Sequence, residues 1–226
     1  MKLSQQWKPL ANNKKAGAKS AKIDLRRKVA AAIGGPVHVF DAFAGAGSLY
    51  RETWKHLAAS YVGCDKKYYA DERRVFVADN RRVLRAIDLA PFTLFDLDAY
   101  GDPWEQAIII AARRPIKNGE RVGFVVTEAG LHLKNGVVPH AIRELTGLRH
   151  RGTPGAALFQ RRAEMHSKIW RELARRMGAR VERMWKADAR GNVAMVYMGA
   201  VLIGEPPAVK DAAGQQKVPE QPFFHI

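Results

Sequence analysis

Residues 37–48 read VHVFDAFAGAGS and join an apolar run to a turn that contains two glycines. The apolar run is rich in β-branched and aromatic residues, which predicts a buried strand that ends at Asp41. A helix-like segment follows over residues 49–58. Because Gly45 and Gly47 lack a Cβ atom, the backbone of the turn could lie close to a ligand. The free N–H groups of the next helix would point toward the same place.

The composition indicates one globular unit with polar ends. The chain has 226 residues, of which 47% are hydrophobic, enough for one sizeable core. We expect a basic, flexible arm over residues 1–28, a domain over residues 29–204 and a flexible tail over residues 205–226. The sequence contains neither an apolar run of about 18 residues nor an apolar signal core, so we expect no membrane segment. The single cysteine, Cys64, excludes an internal disulfide and fits a reducing, cytoplasmic compartment.

The charge balance indicates a polyanionic partner. The chain has 38 Lys and Arg residues against 22 Asp and Glu residues, which gives a net charge of +16. Phosphate contacts and counterion release make RNA or DNA the partner best suited to such a charge. A solvated basic surface and a patch for acidic lipids are the alternatives. The N-terminal arm fits either a clamp on nucleic acid or a solubilising tail.

Acidic residues stand at the ends of the next predicted strands. Asp65 closes the short apolar run over residues 61–65 and lies about 20 residues after the glycine turn. In doubly wound folds, an acid at that place bonds the ribose of a nucleotide-like ligand. Asp79 and Asn80 close the run over residues 74–80. Asp79 could equally cap the helix that follows.

Residues 92–104 read FTLFDLDAYGDPW and have the most specific pattern of the chain. A predicted strand ends in Asp96 and Asp98, and Tyr100 follows. Helix capping explains the Asp-Pro pair of the next turn. Capping does not explain a carboxylate and an aromatic ring at the carboxyl end of a strand, which is where open α/β sheets bind ligands.

Strands and helices alternate along the rest of the chain. Further strands are predicted over residues 119–127, 179–185 and 192–203, with a hairpin around residues 190–192, and further helices over residues 23–33, 137–145 and 159–177. This alternation predicts an α/β fold, a three-layer sandwich around a mostly parallel, seven-stranded sheet.

The ordered series of strand-end residues resembles the class I methyltransferases that use S-adenosylmethionine, over about residues 37–203. The glycine turn resembles their motif I. The resemblance implies a Rossmann-like sheet with an antiparallel final strand and S-adenosylmethionine as the cofactor. It also implies that Asp79 accepts a hydrogen bond from the adenine amino group. The residues expected to contact the cofactor are Asp41, Phe43, Gly45, Gly47, Asp65, Asp79, Asn80 and Asp96.

Residues 98–103, DAYGDP, resemble the Asp-Pro-Phe-Gly-x-Pro element of tRNA guanine-N2 dimethyltransferases, with Ala99 in place of the proline. The resemblance implies direct methyl transfer to an exocyclic amine of a nucleic-acid base. Asp98 would accept a hydrogen bond from that amine and Tyr100 would stack on the base. Asp96 could serve as a second acceptor. The substitution at Ala99 leaves the identity of the base open.

The expected nucleic-acid contacts are basic residues of the arm and of a glycine- and proline-rich loop: Lys14, Lys15, Arg149, Arg151, Arg161 and Arg162. The seven histidines show no metal-ligand spacing, so we expect no metal. Two other functions fit the sequence. One is a catalytically inactive nucleic-acid-binding protein on the same fold, which Ala99 favours, and the other is a small-molecule methyltransferase.

Overall fold

The structure is a computed structural model that describes residues 16–148, 155–188 and 195–206. The strands are β1 (His38–Asp41), β2 (Ser60–Asp65), β3 (Val75–Val77), β4 (Leu94–Asp98), β5 (Arg121–Ala129), β6 (Ala179–Asp188) and β7 (Met195–Gly204). The helices are α1 (Ala16–Ile33), α2 (Lys55–Leu57), α3 (Asn80–Ala86), α4 (Trp104–Arg113), α5 (Leu131–Lys134), α6 (His140–Thr146), α7 (Gly155–Gln160) and α8 (Arg162–Arg176). A π-helical turn, Tyr50–Trp54, precedes α2. None of these described helices is both long enough and apolar enough to span a bilayer.

The described strands form one seven-stranded sheet in the order β3-β2-β1-β4-β5-β7-β6. The pairs from β3 through β5 are parallel, whereas β7 is antiparallel to both β5 and β6. The predicted mostly parallel sheet with an antiparallel strand near the end of the chain is therefore confirmed. Because β1 to β4 are parallel neighbours, the residues at their carboxyl ends meet along one edge, which we call the rim.

Side chains alternate between the two faces of the sheet, and each face has its own core. Phe40, Phe95 and Phe124 belong to the cluster that packs under α4 and α8. Val39 and Leu94 belong to the cluster that packs under α1. Because every second side chain of a strand points to the same face, Asp41 shares a face with Val39, and Asp96 and Asp98 share a face with Leu94. Three of the acids predicted for the site therefore face α1.

Helix α1 packs closely against the sheet because two strands present glycine beneath it. A Cβ atom built on Gly123 of β5 would be 2.7 Å from Val29, and one built on Gly199 of β7 would be 2.5 Å from Val29. In the described part of the chain the helix covers Ala16–Ile33, whereas the sequence predicts a helix only from residue 23 and a flexible arm up to residue 28. The difference arises because this part of the helix is buried against the sheet, through Ala18, Leu25 and the stems of Lys22 and Arg26.

The other elements differ from the prediction mainly at their ends. The helix predicted over residues 159–177 is divided at Arg161 into α7 and α8. Asp102 accepts a hydrogen bond from the backbone N–H of Trp104 (2.9 Å), the first residue of α4, but Pro103, not Asp102, lies at the cap position. The hairpin expected around residues 190–192 lies outside the described residues.

Candidate active site

The glycine turn after β1 is held by a guanidinium group from the loop between β2 and β3. Gly45 and Gly47 have φ values of +46° and +76°, a conformation that favours glycine. The Nη1 and Nη2 atoms of Arg73 donate to the carbonyl oxygens of Ala44 and Gly45, both at 2.8 Å. Asp71 fixes Arg73 through its Nε (2.9 Å) and Nη2 (2.6 Å). The turn is therefore rigid, since its carbonyl groups are satisfied by a buried cation that sequence reasoning did not identify.

Replacing Gly47 with alanine should destabilise the turn. A Cβ atom there would be 2.8 Å from Cζ of Arg73, in addition to the strain of the positive φ. We expect a loss of about 2–3 kcal/mol in the free energy of unfolding, measured in urea. The matched control is Gly119→Ala, where φ is +75° but no atom lies within 4 Å of the new Cβ. Equal losses for the two variants would show that Arg73 does not constrain the turn.

Asp41, at the end of β1, is buried beneath this turn. Its Oδ1 accepts a hydrogen bond from the backbone N–H of Phe43 (3.0 Å), and its Oδ2 accepts one from the hydroxyl of Tyr61 (2.8 Å). Burial and the nearby charge of Asp96 raise the pKa of Asp41 to about 8. Asp41 thus shapes the turn through Phe43 instead of standing open to solvent.

The raised pKa of Asp41 predicts a pH-dependent stability. The pKa of Asp41 is about 4 in the unfolded chain and about 8 in the folded protein, so between these pH values only the folded protein keeps the proton. The stability that protonated Asp41 contributes is therefore lost as the pH rises through that window. Asp41→Asn should remove the loss, because its amide keeps one acceptor for Phe43 and donates to the Tyr61 hydroxyl. We expect urea unfolding to show that the free energy of unfolding of Asp41→Asn, relative to that of the wild type, is higher at pH 8.5 than at pH 5. The control Asp88→Asn changes an exposed carboxylate, and a pH-independent difference for Asp41→Asn would contradict the expectation.

The end of β2 contacts the glycine turn directly. Oδ2 of Asp65 accepts a hydrogen bond from the backbone N–H of Gly45 (2.9 Å), and its Oδ1 accepts one from the backbone N–H of Lys67 (2.8 Å). A carboxylate has about four lone pairs, so these two bonds leave Asp65 with acceptor capacity at the rim. The structure therefore brings Asp65 and the turn together, as the sequence predicts.

Asp79 and Asn80 lie at the start of α3 and are both engaged. Asp79 accepts from the backbone N–H of Arg81 (3.0 Å), which makes it the cap of α3, and from the Arg81 guanidinium (2.7 Å). Hydrogen bonds from Arg81, followed by Lys66, hold the pKa of Asp79 well below its usual range. Asn80 donates to the carbonyl oxygen of Ala42 (2.7 Å) and so ties α3 to the end of β1.

Asp96 is enclosed, with 0% of its surface exposed. Its Oδ2 accepts from Nε of Arg26 and from Nε1 of Trp54, both at 2.7 Å, and its Oδ1 accepts from Nη2 of Arg26 (2.7 Å). The sequence predicts Asp96 as a ligand contact, but the alternation of β4 directs it into the space beneath α1. In this structure Asp96 fastens α1 to the sheet.

Asp98 lies two residues further along β4, at the rim. Nζ of Lys22 donates to both of its oxygens, at 2.7 Å and 2.9 Å, and the hydroxyl of Thr127 donates to Oδ1. Burial alone would raise the pKa of Asp98, but the charges of Lys22 and Arg26 outweigh it and lower the pKa. Tyr100 follows with 73% of its surface exposed, so its ring is available for stacking.

The predicted nucleic-acid contacts fall into three groups. Lys14, Lys15, Arg149 and Arg151 lie outside the described residues. Arg161 is exposed and pairs with Glu164 (3.1 Å). Arg162 is buried: its Nε lies 3.3 Å from Oε1 of Glu128, and its guanidinium lies over the ring of Phe159 at 5.4 Å from the centroid. The placement of Arg162 is that of a core residue, because the helix α8 turns it toward the end of β5.

The structure adds Lys22, Arg26, Arg73 and Thr127 to the residues around the rim. A signal for the first two was present in the sequence, since they are one helical turn apart and therefore share a face of α1. Their partners Asp96 and Asp98 are two residues apart and share a face of β4. Within the described ranges, no group of three or more His, Cys, Asp or Glu residues could hold a metal ion.

No protein-family model matches this sequence, and no curated protein matches it. Among solved structures, Trm1 from Pyrococcus horikoshii, in complex with S-adenosyl-L-methionine, is similar over 83% of this chain with a TM-score of 0.52 and 17% identity. This chain covers 56% of Trm1, little more than half of its length. The N-methyltransferase NodS from Bradyrhizobium japonicum is similar over 86% of this chain and 99% of its own, with a TM-score of 0.51 and 9% identity. The sheet order, the glycine turn and these similarities together show that the chain has the fold of the class I S-adenosylmethionine-dependent methyltransferases.

Proposed function

We propose that the protein is an S-adenosylmethionine-dependent methyltransferase that modifies an exocyclic amine of a nucleic-acid base. The observation that carries the proposal is the rim itself. Four neighbouring parallel strands end there, with Asp79 after β3, Asp65 on β2, the glycine turn after β1 and Asp98 on β4. Open α/β sheets bind their ligands at this edge.

The residues at the rim fit the cofactor. A Cβ atom built on Gly45 would find no atom closer than the carbonyl oxygen of Phe43, at 3.8 Å, so the outer side of the turn has room for a ligand. We assign the glycine turn to the methionine part, Asp65 to the ribose hydroxyls, and Asp79 and Asn80 to the adenine side. When bound, S-adenosylmethionine supplies an electrophilic methyl group. The protein's own contribution is to place the acceptor amine in line with it.

Asp98 and Tyr100 would act on the target base. The lone pair of an exocyclic amine is delocalised into the ring, so the nitrogen is a weak nucleophile until an acceptor bonds one of its hydrogens. Asp98 is an anion at the rim and can provide that acceptor. The exposed ring of Tyr100 offers a stacking surface for an unpaired or extruded base, whose extrusion from a duplex costs a few kcal/mol.

A nucleic-acid substrate is supported by charge. The net charge of +16 favours association with a polyanion through counterion release. Lys14, Lys15, Arg149, Arg151 and the exposed Arg161 remain our candidates for phosphate contacts. A cytoplasmic location stays the prediction that accompanies this substrate class.

Two observations favour a second function, a nucleic-acid-binding protein without catalysis. Lys22 already donates a hydrogen bond to each oxygen of Asp98, and Ala99 replaces the proline of the motif that the segment resembles. Such a protein would bind RNA or DNA and the cofactor but transfer no methyl group.

The experiment that decides is labelled methyl transfer from S-adenosylmethionine to total tRNA, ribosomal RNA and unmethylated DNA, followed by mass spectrometry of the nucleosides. We expect an N-methylated nucleoside in one pool. Calorimetry with S-adenosylmethionine and its demethylated product accompanies it. Cofactor binding without transfer to any pool would favour the inactive protein. A small-molecule enzyme would be favoured by transfer only to small molecules, together with nucleic-acid binding that does not depend on salt. The absence of cofactor binding would overturn the proposal.

A further inference from the structure

The Asp98 carboxylate is held by a cation from a distant part of the chain. Lys22 lies 76 residues before it, and the two side chains are only 5% and 11% exposed. Nζ of Lys22 also lies 5.3 Å from the ring centroid of Tyr197 on β7. The ion pair is therefore enclosed between α1, β4 and β7, with its acidic end at the rim.

Anchoring α1 does not require this second ion pair. Arg26, one turn further along α1, already makes two hydrogen bonds to Asp96, and both side chains are fully buried. Enclosed ion pairs contribute little stability compared with apolar packing, because both charges must be desolvated. A second pair that ends at the rim, beside the exposed Tyr100, is better explained by a role in the site.

Counting lone pairs shows what that role is. An ionised carboxylate offers about four acceptor positions, two on each oxygen. Lys22 takes one position on each oxygen, and the hydroxyl of Thr127 takes the second position on Oδ1. Among the contacts of the described residues, these bonds leave one acceptor position, and it is on Oδ2. The carboxylate therefore has a fixed plane and a single open direction for a donor.

We propose that Lys22 and Thr127 are positioning residues that hold Asp98 as an anion and leave one lone pair of Oδ2 for the amine of the target. This inference rests on the proposed function, because it names the parts of the same site that orient the acceptor. Asp98 is the group that would touch the substrate, whereas Lys22 and Thr127 act through it.

The surroundings of Asp98 support an effect on its ionisation. The charged groups that face it are Lys22 and Arg26 from α1, and both lower the pKa of Asp98. Tyr197 faces it from β7, with a pKa that burial and Asp98 raise, so the tyrosine stays neutral at physiological pH. Removing the Lys22 charge would leave Arg26, which Asp96 already binds, as the cation of the described residues that lowers the pKa of Asp98. The pKa of Asp98 should then rise.

The test compares Lys22→Met, Lys22→Arg and Thr127→Val with the control Lys28→Met, which makes the same change at an exposed position of α1. Two readouts are taken from pH 2.5 to 9, a range that reaches below the ordinary pKa of a carboxyl group: kcat for methyl transfer, and the ¹³C shift of the Asp98 carboxyl group, identified by its absence in Asp98→Asn. For Lys22→Met we expect the titration of Asp98 and the acid limb of kcat to move up together by at least about one pH unit, a tenfold loss of rate on that limb. Lys22→Arg should restore most of the wild-type profile, Thr127→Val should shift it less, and Lys28→Met should not shift it.

A purely structural ion pair would give a different pattern. Lys22→Met would then melt at a lower temperature while both pH profiles stayed in place, and this result would overturn the inference. If Lys22→Met does not fold, Thr127→Val, which keeps the ion pair, provides the test: a shift of its two pH profiles would support the inference, and unchanged profiles would overturn it. A wild type that transfers no methyl group would overturn the proposed function, whereas the ¹³C titration would still show whether Lys22 controls Asp98, so the two failures are distinguishable.

Discussion

Replacing Asp98 with asparagine is expected to lower methyl transfer by about 100-fold or more while cofactor binding is kept, since one preorganised hydrogen-bonding group at a reacting centre is commonly worth this much. Asparagine has the same shape but is a weaker acceptor, and its amide nitrogen repels a donor. Labelled transfer to the pool that the wild type modifies measures the rate. Calorimetry with the demethylated cofactor product measures binding separately.

Asp98→Asn must be compared with a second variant, because it removes the carboxylate that faces the buried ammonium of Lys22. Removing the carboxylate that faces a buried charge is costly, so part of the loss of activity could reflect a loosened α1. The double variant Asp98→Asn with Lys22→Met removes both charges and should recover thermal stability without recovering transfer. A double variant that regains wild-type transfer, or an Asp98→Asn protein with unchanged kcat, would show that Asp98 does not act on the substrate.

The order of the strand ends could be predicted because it depends on local patterns. Each predicted strand combines a short apolar run with a polar terminus, and parallel neighbours must end at the same edge. Asp65 and the glycine turn therefore meet as the sequence predicts, through the hydrogen bond from the N–H of Gly45. Asp79 caps α3, which the residue pattern also allows.

The ion pairs of the rim could not be predicted in the same way. Lys22 and Arg26 occur in a run of basic residues that resembles a solvated arm, and their partners are 76 and 70 residues away. The period of β4 indicates that Asp96 and Asp98 share a face, but only the packing of α1 on that face shows which cations meet them. The same limit applies to Arg162, whose burial depends on the position of α8 against the end of β5.

The depth at which an acid lies beneath α1 separates the enclosed Asp96 from Asp98, the acid that we propose acts on the substrate. Asp41, Asp96 and Asp98 all point toward α1, but the depth at which they lie differs. Asp96 is enclosed by Arg26 and Trp54, whereas Asp98 lies two residues nearer to solvent. A motif aligned by residue type alone would treat these two aspartates as equivalent.

Replacing Arg26 with methionine is expected to give the largest loss of stability, about 3–5 kcal/mol, because it removes the cation from a carboxylate with no exposed surface. Domains of ordinary stability unfold with about 5–15 kcal/mol, so the variant would be marginal or unfolded at 37 °C. Urea unfolding followed by circular dichroism gives the free energy. Arg27→Met is the matched control: Arg27 is exposed and lies 3.8 Å from Asp24, so its loss should cost less than about 0.5 kcal/mol.

A second substitution separates the lost ion pair from lost packing. In Arg26→Met with Asp96→Asn, neither of the two positions carries a buried charge, and the asparagine oxygen still accepts a hydrogen bond from Nε1 of Trp54. Most of the lost stability should return, since a neutral replacement of a buried ion pair is often tolerated. If Arg26→Met cost no more than Arg27→Met, or if the double variant were as unstable as Arg26→Met alone, the buried charge of Asp96 could not be what fixes α1 to the sheet.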